Sequence, residues 1–102
     1  MNQAASQALV LVSPGVYRLE APLTFASVAQ LRKLGLHAID AAPDGLTIEL
    51  NAVPAVDSAG LALLIDWLAN ARAKSRTLKY GSPPPTLLSL ARLSEVDKLI
   101  TG

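Results

Sequence analysis

Two short runs rich in apolar residues near the start of the chain predict a pair of β-strands. The runs are Ala8–Val12 and Val16–Glu20, and Ser13-Pro14-Gly15 lies between them. Serine and proline favour a turn, and glycine adopts positive φ without a steric penalty. The pattern therefore predicts a β-hairpin.

A helical repeat follows the hairpin. Thr24 is a suitable N-cap for a helix, and Gly35 is a natural residue for its end. Four apolar residues recur on one face of this helix: Phe25, Val28, Leu31 and Leu34. The stretch Leu36–Ala42 fits either an extension of the helix or a loop, and Pro43-Asp44-Gly45 predicts a break.

The middle of the chain alternates strand and helix. Leu46–Leu50 has the period of two that is typical of a strand with one buried face. A long helix is predicted from Ser58 to Ala73, and Thr77–Tyr80 is predicted as a fourth strand.

Two further helices are predicted at the end. Proline fits the first turn of a helix, so Pro83-Pro84-Pro85 predicts one that runs to Leu93. Ser94 is a candidate cap for a short terminal helix that contains Leu99. The order ββαβαβα(α) predicts one α/β domain over residues 1–102, with helices packed on a mixed four-stranded sheet.

The long helix carries apolar residues on two sides. At 100° per residue, one side is a core-facing stripe of Leu61, Leu64, Ile65 and Leu68. The opposite side collects Ala59, Leu63, Asp66, Trp67, Asn70 and Lys74. A tryptophan on an outward face favours an interface. The alternative is that Trp67 packs under the terminal helix as core. If replacing Trp67 by alanine neither unfolded the domain nor weakened a complex, the docking face would be expected on the helix Pro84–Leu93.

Composition narrows the function classes. The chain is 51% hydrophobic but 4% aromatic, which indicates an aliphatic core. Nine Lys and Arg against eight Asp and Glu give a net charge of +1 without charge runs, so nucleic acid is not an expected partner. Met1–Ser6 contains no Lys or Arg, so we do not expect a secretory signal there. No unbroken apolar run is longer than Leu61–Ile65, which is too short to span a bilayer. We therefore expect a cytoplasmic protein, and the absence of cysteine fits a reducing compartment.

The sequence contains none of the common catalytic patterns. It has neither a Gly-x-x-x-x-Gly-Lys-Ser/Thr loop nor a Gly-x-Ser-x-Gly elbow. His37 is the only histidine and has no neighbour at metal-ligand spacing. We expect no enzyme activity, no metal and no cofactor.

The segment with the most functional information opens the long helix. Asp57 and Ser58 are both capping residues, and Gly60 leaves the first turn bare on one side, which predicts a small exposed platform. Plain N-capping is the alternative interpretation. Adjacent residues at a helix start point to different sides, so Asp57 is not expected to activate the Ser58 hydroxyl.

Asp57-Ser58-Ala59-Gly60-Leu61 resembles the Asp-Ser/Thr-x-Gly-Leu segment of STAS domains, and the resemblance covers Leu9 to the end of the chain. Leu23–Val28 and Pro84–Val96 resemble the MlaB subunit of Mla-type phospholipid-transport ABC systems. The resemblance implies an anti-sigma-factor-antagonist-like fold and a non-catalytic subunit that binds an MlaF-like ATPase, peripheral to the inner membrane. The residues expected to contact this partner are Asp57, Ser58, Ala59, Gly60, Leu63, Trp67 and Asn70.

The same resemblance supports a second interpretation. Ser58 falls at the position that anti-sigma-factor antagonists phosphorylate, which implies a switch between partners controlled by a phosphate. Antagonists commonly carry glycine at the end of the second strand, where this chain has Glu20-Ala21-Pro22. An enzyme is the third class, and no residue pattern favours it.

Overall fold

The order of strands and helices predicted from the sequence is confirmed by a computed structural model, which describes residues 8–102. The expectation that Met1–Ser6 is not a secretory signal lies outside the described residues. The elements are β1 (Leu9–Ser13), β2 (Val16–Leu19), α1 (Val28–Asp40), β3 (Leu46–Glu49), α2 (Ser58–Ala73), β4 (Leu78–Gly81), α3 (Pro85–Leu93) and α4 (Asp97–Thr101).

The four strands form one mixed sheet in the order β1-β2-β3-β4. The hairpin strands β1 and β2 are antiparallel, whereas β3 runs parallel to both β2 and β4. Tyr17 pairs with Ile48, and Ile48 pairs with Tyr80, so these three side chains form a row on one face of the sheet.

The two faces of the sheet have different environments. Strand residues on the row's face are buried at Leu19, Leu46, Ile48, Leu78 and Tyr80. Their neighbours on the other face, such as Thr47 and Lys79, are partly or fully exposed. The helices therefore cover one face, and the opposite face is accessible to solvent.

The predicted core side of α2 is confirmed. Leu61 and Leu64 are buried, and Ile65 and Leu68 are partly buried against the core. The Tyr80 hydroxyl donates a 2.6 Å hydrogen bond to the Leu64 carbonyl, which fixes α2 on β4.

The predicted start of α1 is wrong. The helix begins at Val28, Thr24 lies in the preceding turn, and Phe25 is 83% exposed rather than on the core face. The reason is tertiary: Leu23 forms a parallel β-bridge with Val56, which holds the backbone extended before the turn. The Ser27 hydroxyl closes that turn by donating to the Pro22 carbonyl at 2.6 Å.

Gly35 does not end α1, which continues to Asp40 and so resolves the Leu36–Ala42 stretch mostly as helix. A Cβ at Gly35 would lie 2.0 Å from Trp67 Cε2, so this glycine provides the space in which the indole ring packs.

Helices α1 and α2 run side by side in the same direction. Arg32 pairs with Asp66 at 2.8 Å, and Asp40 pairs with Lys74 at 2.6 Å. Residues later in α1 therefore contact residues later in α2, as expected for parallel helices. Trp67 lies between these pairs and is 0% exposed. Within residues 8–102, no helix is long and apolar enough to cross a membrane.

Candidate functional site

Asp57 holds together the start of α2 and the turn before α1. Its Oδ1 accepts a 3.0 Å hydrogen bond from the Gly60 backbone N–H, which makes Asp57 the N-cap of α2. Its Oδ2 accepts a second 3.0 Å hydrogen bond from the Phe25 backbone N–H. The hydrogen bonds from Phe25 and Gly60 lower the pKa of the Asp57 carboxyl below its usual value of 3.8, so the group is ionised at neutral pH.

Gly60 is required by a close approach of two backbones. Leu23 donates its N–H to the Ala55 carbonyl at 2.8 Å and accepts from the Asp57 N–H at 3.0 Å. A Cβ at position 60 would fall 1.9 Å from the Leu23 carbonyl oxygen. Aspartate and glycine in this motif therefore have one shared effect, which is to fasten the segment around Leu23 to the start of α2.

Ser58 is the first residue of α2 and is exposed, as the sequence predicts. The N-terminus of a helix carries a partial positive charge, which favours an acceptor or an anion nearby. Both Asp57 oxygens already accept backbone hydrogen bonds, so this carboxylate is not arranged to take a proton from Ser58.

A surface groove of about 610 Å³ lies between the start of α2 and helix α3. The residues that line it are Val56, Asp57, Ser58, Pro85, Thr86, Ser89, Leu90 and Leu93. Leu93 stands 83% exposed at one side. Phe25, equally exposed, adjoins the site through its backbone bond to Asp57. We name this region the Ser58 groove.

The structure brings only part of the predicted contact set to this surface. Asp57, Ser58 and Ala59 are at least partly accessible, whereas Gly60 is buried under Leu23. Asn70 is partly buried and donates to the Asp66 carbonyl of its own helix at 2.8 Å.

The interpretation of Trp67 and Leu63 as docking residues is wrong. Trp67 is 0% and Leu63 is 5% exposed, because α1 covers the side of α2 that the helical repeat left without a partner. The Trp67 indole N–H donates to the Arg32 carbonyl in α1 at 3.2 Å. Trp67 is therefore core, as in the alternative interpretation, but it packs under α1 rather than under the terminal helix.

Sequence reasoning also missed Phe25 as a surface residue. Its helical spacing from Val28 suggested a core position, and no local signal indicates that the Leu23 bridge delays the helix. Residues 8–102 contain no group of three or more His, Cys, Asp or Glu that could hold a metal ion.

A mixed four-stranded sheet covered on one face by helices, with an Asp-Ser-x-Gly start to the central helix, defines a STAS-type domain. The chain belongs to the family described as "Mlab, STAS domain", whose family model matches residues 11–101.

Solved structures agree on the fold. A Thermotoga maritima protein described as a candidate anti-sigma factor antagonist (tm1081) superposes with a TM-score of 0.76 at 14% identity, covering 95% of this chain and 86% of its own. The anti-sigma factor antagonist SpoIIAA in its unphosphorylated form gives a TM-score of 0.70 at 22% identity, covering 91% and 84%. The phosphorylated form of SpoIIAA, described as a Bacillus cell fate determinant, gives 0.66 at 22% identity, covering 91% and 86%. No curated protein matches the sequence.

Proposed function

We propose that this chain is a non-catalytic subunit of an Mla-type phospholipid-transporting ABC system, which maintains outer-membrane lipid asymmetry, and that it binds the MlaF-like ATPase through the Ser58 groove. The observation that carries the proposal is the position of Ser58: exposed, on the first turn of α2, at the rim of a groove flanked by apolar side chains. The match to the family model described as "Mlab, STAS domain" is a second support for the proposal.

The groove has the composition of a protein contact. Phe25 and Leu93 are large apolar side chains that stand almost fully in solvent. Removing such groups from water at an interface contributes to binding, and aromatic anchors often dominate interface energy. Thr86 and Ser89 add hydroxyl groups to the lining of the groove. The subunit would act on the ATPase by binding one of its conformations more tightly than another.

The second candidate function is a partner switch in a sigma-factor pathway. The fold similarity to SpoIIAA and the exposure of Ser58 favour it. A phosphate on Ser58 would add about −1.5 to −2 charges beside the ionised Asp57, which would repel an acidic partner surface and alter the contact.

The test is a titration of the purified chain with the MlaF-like ATPase encoded in the same organism, with a kinase-type anti-sigma factor as the competing partner. Phe25→Ala and Leu93→Ala should each weaken ATPase binding by about tenfold, which corresponds to about 1.4 kcal/mol. Leu11→Ala is the matched control, because Leu11 is also exposed but lies on the edge strand β1.

Ser58→Glu should impair docking, since it places a charge at the rim, and Ser58→Thr should be tolerated, since it retains the hydroxyl. Binding to the anti-sigma factor and not to the ATPase would favour the switch. If Leu11→Ala and Leu93→Ala lost the same ATPase affinity, the Ser58 groove would not be the docking surface.

A further inference from the structure

A second groove lies at the opposite end of α2 and is not used by the proposed function. It has a volume of about 650 Å³ and lies between the last turns of α2, the start of β4 and helix α4. Ser58 and Arg72 are separated by 14 residues of helix, or roughly 21 Å at 1.5 Å per residue, so the two grooves are distinct. We name it the Arg72 groove.

The inner surface of the Arg72 groove is apolar. Ile65 and Leu68 reach it from α2, Leu78 from β4 and Leu99 from α4. Leu99 is exposed, and Ile65 and Leu68 are only partly buried, so the core does not cover this surface fully. The α2 residues that border the open side are the small Ala69 and Ala73, which leave space unfilled.

The rim of the Arg72 groove is cationic. Arg72, Arg76 and Lys98 line it together with Thr77 and Gly102, and no Asp or Glu side chain does. Arg76 is engaged, because its Nη1 donates to the Ile39 and Asp40 carbonyls at 3.3 and 3.2 Å. Among the described residues, no ion pair includes Arg72 or Lys98, which come from two different helices.

We propose that the Arg72 groove binds a fatty-acid anion, with its alkyl chain on the apolar surface and its carboxylate between Arg72 and Lys98. The volume falls within the range of about 300–1,000 Å³ that is usual for small-ligand sites. The planar Arg72 guanidinium matches a carboxylate with two parallel hydrogen bonds, and Lys98 adds a second positive charge.

The test uses dodecanoate below its micelle concentration, titrated into the full chain by calorimetry and by amide-resolved NMR. We expect saturable binding of one dodecanoate per chain, with shift changes at Leu78 and Leu99 and not at Ser58. Arg72→Gln combined with Lys98→Gln should weaken binding at least tenfold, while Lys33→Gln and Lys79→Gln, which remove exposed charges elsewhere, should leave it unchanged.

A second comparison separates the contribution of the ligand's carboxylate from that of its alkyl chain. Dodecyl maltoside, with the same chain and no charge, should bind at least tenfold more weakly than dodecanoate. If dodecyl maltoside bound as tightly as dodecanoate, the carboxylate would make no contribution and the proposal would be wrong. The same conclusion would follow if Lys33→Gln with Lys79→Gln lost as much dodecanoate affinity as Arg72→Gln with Lys98→Gln. Tighter binding of a lysophosphatidate would overturn the carboxylate assignment in favour of a phosphate, and tighter binding of an acidic helical peptide would overturn the small-ligand assignment. Absence of saturable binding would overturn the site itself.

Discussion

The indole ring of Trp67 occupies the space above Gly35, so closely that a Cβ there would lie 2.0 Å from Trp67 Cε2. This contact joins α1 to α2, and the ion pairs Arg32–Asp66 and Asp40–Lys74 lie on either side of it. The largest side chain of the core therefore depends on the smallest residue of the neighbouring helix. The packing against α1 also buries Trp67, so this side chain is not part of a surface on which a partner could bind.

Gly35→Ala should lower the free energy of unfolding by about 2 kcal/mol, within the range of about 1–3 kcal/mol for overpacked cores. The sign is informative, because alanine is intrinsically better than glycine in a helix by about 1 kcal/mol. Urea unfolding measures the change. The double variant Gly35→Ala with Trp67→Phe should recover part of the loss, since the smaller ring leaves room; a stabilising Gly35→Ala would contradict the packing.

Gly60→Ala should loosen the segment around Leu23 from the start of α2, because the new Cβ would meet the Leu23 carbonyl oxygen at 1.9 Å. We expect a destabilisation of about 1–3 kcal/mol and faster hydrogen exchange at the amides of Leu23 and Phe25. Ser58→Ala is the control, since Ser58 is exposed two residues away. Unchanged exchange at both amides in Gly60→Ala would refute the role of the glycine.

Asp57 should make stability depend on pH in the acid range. Hydrogen bonds from Phe25 and Gly60 lower its pKa in the folded chain below the usual 3.8. Its contribution is therefore present above the unfolded pKa and is lost as pH falls through the folded pKa. Asp57→Asn should be less stable than the parent at neutral pH and should lose less stability between neutral pH and pH 2.

Asp40 also has a lowered pKa, chiefly through its hydrogen bond from Lys74, so the comparison is best made in an Asp40→Asn background. Melting temperatures across the acid range provide the measurement. Parallel curves with and without Asp57 would rule out its contribution.

Tyr80 should limit stability at high pH. Burial raises the pKa of its hydroxyl well above the usual 10.0, with a smaller contribution from the charge of Asp66. A group whose folded pKa is raised contributes stability that is complete below its unfolded pKa and is lost as pH rises through the folded pKa. Stability should thus decline above about pH 10, the usual tyrosine value.

Tyr80→Phe removes the hydrogen bond to the Leu64 carbonyl and should cost about 1 kcal/mol at neutral pH. The variant should also decline less steeply above pH 10. Tyr17→Phe serves as the comparison for a partly buried tyrosine on the same sheet face. If the stability of Tyr80→Phe declined above pH 10 as steeply as that of the parent, groups other than Tyr80 would cause the decline.

The sequence by itself determined the order of elements and the start of the central helix. Alternation at Leu46–Leu50 and the turn at Ser13-Pro14-Gly15 are local signals, because side-chain period and backbone preference act within a few residues. Asp57 and Ser58 were found for the same reason, since an N-cap satisfies amide groups of its own helix. The two hairpin strands, β3 and α2 agree with the structure to within a residue at their ends, whereas α1 does not.

Tertiary structure alone decided what covers each face and where α1 begins. The helical repeat identified Trp67 on a second apolar side of α2, but the covering residue, Gly35, lies 32 positions earlier. Phe25 became a surface residue because Leu23 pairs with Val56, also distant in the chain. Such contacts depend on which elements pack together, and a pattern with a period of two or 3.6 residues does not specify the packing partner.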